Sequence, residues 1–136
     1  MTDRQRQFID DLNLIEDSQE RLTVVVDRAR KHPPLPDHER TDAHRVPGCV
    51  SQVWLVSELR DGRCFFRCDA DGPLVKGLVA LVCEFYSDTS PTDILADDTD
   101  PLAELRLLQN LSPTRRNGLA AVRAAIKQFA RSQRTD

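Results

Sequence analysis

What this 136-residue chain lacks narrows it first. It has no basic excess: 19 lysines and arginines stand against 22 acids, for a formal net charge of −3, and the isoelectric point is near 5.6. Neither a phosphate backbone nor an anionic lipid surface would attract it overall, so neither nucleic acid nor membrane is expected as a partner. It has no long apolar run, since the longest, Leu78 to Cys83, is far too short to span a bilayer. The opening stretch Met-Thr-Asp-Arg-Gln-Arg-Gln is polar with no apolar core behind it. No secretory signal or anchor is therefore expected, and the expected location is the cytoplasm. Internal repeats, glycine-rich phosphate loops and low-complexity tracts are missing. Asp97-Asp98 lacks the central glycine and terminal glutamate of a calcium-binding EF-hand loop. A protein or a small molecule remains as the partner.

The 40% hydrophobic content at this length fits one domain over residues 1–136, with residues 132–136 expected to fray. Phe8, Ile9, Leu12 and Ile15 recur at helical spacing within residues 3–16. Asp17 with Glu20 makes a candidate capping box for a second helix bearing Leu22, Val25, Val26 and Ala29, which Pro33-Pro34-Leu35-Pro36 must end. A proline-, charge- and histidine-rich connection then runs to Val46, where Val46 or its neighbours are expected to add a short edge strand. Strand alternation follows over Ser51 to Leu59, with Val53, Leu55 and Leu59 opposed to Gln52, Trp54 and Glu58. Asp61-Gly62 signals a tight turn into a strand from Cys64 to Cys68. Asp71, an acidic cap candidate, with Gly72-Pro73 opens a helix that is apolar around most of its circumference, from Leu74 to Phe85, and so expected at the centre of the domain. Ser90-Pro91, Asp100-Pro101 and Ser112-Pro113 each start a further helix, the second reaching about Leu108 and the last presenting Leu119, Val122, Ile126 and Phe129 inward. The order predicts an α+β fold: a small antiparallel sheet packed against several helices.

Four cysteines in a chain expected to be cytoplasmic read as thiols, ligands or nucleophiles, not as a disulfide framework. Cys64 and Cys68 on one strand would face the same way about 13 Å apart, too far for two ligands of one tetrahedral metal. Cys83 falls within the most buried helix, where cysteine behaves as a small hydrophobe. Cys49 differs by its backbone, because Pro47 and Gly48 place it on a sharp loop outside any apolar stripe. His44 and Arg45 are close in sequence, and a cationic neighbour would raise its thiolate fraction. His32, His38 and His44 fit a solvated loop, and no spacing dictates a cysteine–histidine dyad. The residues thus give a candidate nucleophile without a general base, and packing stays open as an alternative.

The stretch Val46-Pro-Gly-Cys-Val-Ser-Gln-Val-Trp54 resembles the SufE family of sulfur-acceptor proteins. Val75-Lys-Gly-Leu78, Thr89-Ser-Pro-Thr-Asp-Ile94 and Leu111-Ser-Pro-Thr-Arg-Arg-Asn-Gly-Leu119 look like that family's later motifs, in the same order. The resemblance implies an α+β fold with a small antiparallel sheet, shared with IscU-type scaffolds, in which the last helix lies near the cysteine loop. It implies a carrier and activator, not a stand-alone enzyme. Such a protein takes persulfide sulfur from a pyridoxal-phosphate-dependent cysteine desulfurase of SufS or CsdA type, and stimulates that desulfurase. It then passes the sulfur toward iron–sulfur cluster assembly, for example to a SufB-type scaffold. Cys49 matches the acceptor cysteine, Gly48, Ser51 and Gln52 its loop, and Arg115 the arginine of the Ser-Pro-x-Arg motif. Where relatives often carry a polar residue after the cysteine, this chain has Val50. The pyridoxal phosphate belongs to the desulfurase, and no cofactor or metal is expected on this chain. Two readings from other classes stay open: an IscU-like scaffold holding an iron–sulfur cluster or zinc through Cys49, and a non-catalytic interaction module.

Overall fold

Residues 1–49 and 51–134 are described by a computed structural model. Val50, and Thr135 and Asp136 of the expected tail, lie outside the described residues. The chain runs α1 (Asp3–Asn13), α2 (Ser18–Arg30), two short 3-10 turns, β1 (Val53–Arg60), β2 (Arg63–Ala70), α3 (Pro73–Tyr86), α4 (Pro91–Ala96), α5 (Pro101–Glu104) and α6 (Pro113–Gln133). The sheet is the antiparallel pair β1–β2, so the architecture is α+β. No helix among the described residues is long and apolar enough to cross a membrane.

The hairpin forms because Asp61 and Gly62 both take left-handed backbone (φ 51° and 77°), which matches a two-residue turn to the twist of its strands. Register follows from the turn, with Val53 opposite Ala70, Leu55 opposite Cys68 and Ser57 opposite Phe66. That face lies against α3, which packs between the hairpin and α2 and also meets α6, α5 and α1. The all-round apolar character of α3 is thereby explained: Leu78, Val79, Leu81, Val82, Cys83 and Phe85 are all buried. Gly77 allows α2 and α3 to approach closely, since a Cβ there would stand 3.0 Å from the Val26 backbone. The outer face of the hairpin is covered by the connection from α2. Leu35 N–H donates to the buried Asp69 carboxylate at 3.1 Å, and Arg67 pairs with Glu39 at 2.7 Å. Val56 is buried as a result, although strand alternation alone assigns it outward.

Several local expectations are corrected. Leu59 is 41% exposed, because it lies beside the turn, where the twisting hairpin leaves the helix layer. Helix α1 stops at Asn13, not at residue 16, and Asp17 caps α2 by accepting from Gln19 and Glu20 N–H groups without a reciprocal Glu20 contact. The N-cap of α3 is Gly72, not Asp71. Val46 makes no edge strand, although Arg45 beside it forms an isolated bridge to Trp54. Helix α5 ends at Glu104 instead of running on to Leu108. Helix α6 continues through Ser132 and Gln133, two of the residues expected to fray.

One buried cation ties the helical layer together. Arg21 is only 4% exposed. Its guanidinium donates to carbonyls at the end of α1 and just after it, Leu12 (3.3 Å) and Ile15 (2.5 Å). It also donates to Leu105, just beyond α5, at 2.6 Å. The Leu12 carbonyl also accepts from Ile15 N–H at 3.2 Å, whereas Ile15 and Leu105 lie just past helix ends, and a planar five-donor group can satisfy several such carbonyls at once. Arg21→Met keeps the apolar stem but orphans the Ile15 and Leu105 carbonyls; a loss of about 3 kcal/mol is expected, measured as a lowered urea midpoint at unchanged m-value.

Candidate functional site

The Cys49 loop is held at both ends by the open end of the hairpin. On the entering side, Val46 N–H donates to Val53 O at 2.9 Å. On the leaving side, Asp71 N–H donates to Gln52 O at 3.2 Å, and the Asp71 carboxylate accepts from Gln52 N–H at 3.3 Å. Gln52 thus serves the loop through its backbone, and Asp71 is its clamp. Between these anchors Gly48 adopts φ +86°, closed to most side chains, and a Cβ there would lie 3.4 Å from Ala121 of α6.

This backbone turns Cys49 inward. Its thiol donates to the carbonyl of Gly118 on α6 at 3.2 Å, and the cysteine is half-buried. Position 118 lies directly against the sulfur: a Cβ there would stand 3.6 Å from Sγ, in ordinary van der Waals contact, so only a larger side chain would displace the thiol. Below the thiol is a small cavity of about 40 Å³ floored by Val53, Val75, Leu78 and Val122. On the other side of the loop, Asp42, Arg45 and Pro47 line an open cleft of about 350 Å³. Cys49 borders both spaces. Rotation of this one loop would therefore carry the sulfur from a small, mostly apolar recess to an open surface.

Burial pushes the Cys49 thiol above the ordinary cysteine value, and the nearby Arg45 charge offsets this only in part. The expectation of an enriched thiolate is therefore reversed in this conformation, because desolvation of the anion outweighs one exposed guanidinium. His44 has its ring Nδ1 3.5 Å from Thr41 Oγ1.

The remaining expected site residues are placed unequally. Ser51 and Arg115 line the same small cavity as the thiol. Arg115 stands in the first turn of α6 with its N–H donating to the Ser112 cap, and its exposed guanidinium makes no hydrogen bond or ion pair with the described residues. Gly118 and Asp71 were not singled out as site residues from sequence. The signal for Gly118 was present, as a glycine inside a helix and within the Leu111–Leu119 stretch. Val75 and Leu78 likewise belong to a recognised stretch, so two of the later motifs converge on Cys49. The third does not: Thr89 pairs with Cys64 and Ser90 caps α4, which are structural roles. Cys64 is fully buried, and Cys68 and Cys83 line a different cavity. Among the described residues, no three histidine, cysteine or acidic side chains are grouped to hold a metal.

A small α+β domain that presents one sheltered thiol on a glycine-hinged loop is the class defined here. The family described as SufE, Fe-S metabolism associated domain, matches residues 6–130. An uncharacterized SufE-like protein of Rhizobium etli is 34% identical over 130 residues, covering 92% of this chain and 88% of that one. Another, of Rhizobium meliloti, is 33% identical over 129 residues, covering 91% and 92%. The solution structure of a hypothetical protein from Thermus thermophilus superposes with a TM-score of 0.75 at 21% identity, covering 94% of this chain and 93% of that one, which shows a shared fold. The chain belongs to the SufE family and with it to iron–sulfur metabolism.

The sheltered thiol makes a prediction about reactivity. Alkylation of Cys49 by iodoacetamide is expected to inflect at higher pH than a free cysteine thiol, because deprotonation is disfavoured in the recess. Gly118→Leu fills the seat and should drive the thiol outward, raising the neutral-pH alkylation rate at least ~5-fold, a shift of about 1 kcal/mol. Peptide-resolved alkylation kinetics from pH 6 to 10 check both, and an unchanged Gly118→Leu rate would refute the seat.

Proposed function

We propose that this protein accepts sulfur from the persulfide of a pyridoxal-phosphate-dependent cysteine desulfurase onto Cys49, thereby stimulates that desulfurase, and hands the sulfur on for iron–sulfur cluster assembly. The observation that carries the reading is the position of Cys49, on a glycine-hinged loop between a small, mostly apolar recess and an open cleft. Family membership supports it.

In the transfer step the Cys49 thiolate attacks the outer sulfur of the desulfurase persulfide. The new bond joins Cys49 Sγ to that sulfur, the old sulfur–sulfur bond breaks, and the desulfurase thiolate leaves with the electron pair. No net oxidant is consumed. Removal of sulfur frees the desulfurase cysteine for another cycle, which accounts for stimulation. The recess of about 40 Å³ beside Sγ has room for one added sulfur atom. A persulfide drawn back there would be shielded from oxidants. The raised thiol value at rest fits the same cycle, since an idle carrier gains nothing from a reactive anion. Docking would move the loop outward and restore ionisation. Arg115, uncommitted at the mouth of the recess, is assigned to the emerging thiolate or to the partner's acidic groups. In this reading the protein works in the cytoplasm, with a SufS- or CsdA-type desulfurase as donor, a SufB-type scaffold as recipient, and the pyridoxal phosphate on the desulfurase.

Incubation with desulfurase and free cysteine should add one or more sulfur atoms to the peptide containing Cys49, located by intact mass and peptide mapping. Cys49→Ser should abolish both uptake and stimulation while leaving the far-ultraviolet circular dichroism unchanged; full stimulation by that variant would sink the assignment. Arg115→Ala should slow transfer about 5-fold, as expected for loss of one charge-assisted contact of about 1 kcal/mol.

A further inference from the structure

Two of the remaining cysteines lie together, away from the Cys49 loop. Cys68 sits on β2 opposite Leu55, on the hairpin face that meets α3, and Cys83 is on α3. Both line one cavity of about 430 Å³ between α3, β2 and the Pro33–Pro36 segment. Cys68 is half-exposed to it, whereas Cys83 is buried. The neighbouring Cys68 thiol, together with burial, pushes the Cys83 thiol upward, as two adjacent sulfurs should.

The rest of the cavity argues against a charged ligand. Lys76 is 3.5 Å from Asp69, Glu84 is 2.5 Å from Arg28, and Arg67 is held by Glu39 and Glu58. These lining charges are already answered within the protein. A metal would need a third ligand, and no such group stands among the described residues. The chemistry left at this cavity is that of the two thiols that line it, one accessible and one enclosed.

We propose that Cys68 and Cys83 form a reversible dithiol–disulfide couple, oxidised by a hydroperoxide that enters the cavity beside Cys68. The Cys68 thiolate attacks one peroxide oxygen, the oxygen–oxygen bond breaks, and water leaves, giving Cys68 sulfenic acid. The Cys83 sulfur then attacks the Cys68 sulfur, the sulfur–oxygen bond breaks, and a second water leaves. Two thiols and one hydrogen peroxide thus become one disulfide and two waters. A dithiol reductant reverses the change. The bond joins β2 to α3 through a short chain loop and should tighten the hairpin against the central helix. Cys64 is an internal control, being fully buried beside the Thr89 backbone.

The proposal is independent of the sulfur-acceptor reading, and its test removes Cys49. Full-length Cys49→Ser protein is treated with hydrogen peroxide, alkylated, and mapped by mass spectrometry without reduction. The expected result is a Cys68–Cys83 cross-linked peptide with loss of two hydrogen masses, Cys64 still alkylatable under denaturant, and a melting temperature raised by roughly 5 °C that dithiothreitol returns to its starting value. The same map on protein retaining Cys49 covers the case in which Cys49→Ser folds poorly. A cross-link through Cys64 or Cys49, Cys68 sulfinic acid without a cross-link, or three intact thiols after peroxide would each overturn the proposal. A Cys49→Ser/Cys68→Ser variant should keep Cys83 reduced under the same treatment, and Cys83 oxidation at an undiminished rate there would overturn it too.

Discussion

The backbone hydrogen bonds at the open end of the hairpin are the constraint on which the site depends. Val46 to Val53 on one side and Gln52 to Asp71 on the other fix where the intervening loop begins and ends. With both ends fixed, a left-handed Gly48 can send Cys49 over the side of α6. The loop is free to move only between its anchors, which is what a thiol needs if it is to alternate between a recess and another protein's surface.

The anchors in turn rely on α3. Buried on nearly every side, that helix positions the hairpin, α2 and α6 at once, and close packing makes such a centre stiff. Among the described residues, buried charge is used sparingly, and each buried charged side chain is answered. Arg21 caps helix ends, while Asp69 accepts from Leu35 and stands beside Lys76. Asp69 therefore joins the covering connection, the sheet and α3, and places the segment that leads into the cysteine loop.

Reactivity and protection are balanced by burial. A thiol bonded to a helix carbonyl in a small apolar recess is a poor nucleophile, and the same desolvation that suppresses it would guard a bound sulfane sulfur. In the proposed cycle, storage and reaction are thus separated by position. Away from that loop, Cys64 is packed in the core, and Cys68 and Cys83 line a separate cavity.

Much of this was legible in the sequence. The Asp61-Gly62 turn, the proline-marked helix starts after Ser90, Asp100 and Ser112, and the all-round apolar α3 each carry a local physical signal, and all appear in the structure. Where local rules failed, a distant segment or a neighbouring element had intervened. Val56 is buried by a connection from elsewhere in the chain, and Leu59 is exposed by the twist of its own hairpin. The same division holds at the site. The sequence by itself determined which cysteine sits on a Pro-Gly loop, and which family its motifs belong to. Only the tertiary structure decided that the thiol faces inward, that Gly118 makes its seat and Asp71 its clamp, and that burial outweighs Arg45. Those outcomes depend on contacts between residues far apart in the chain, and no local propensity encodes them.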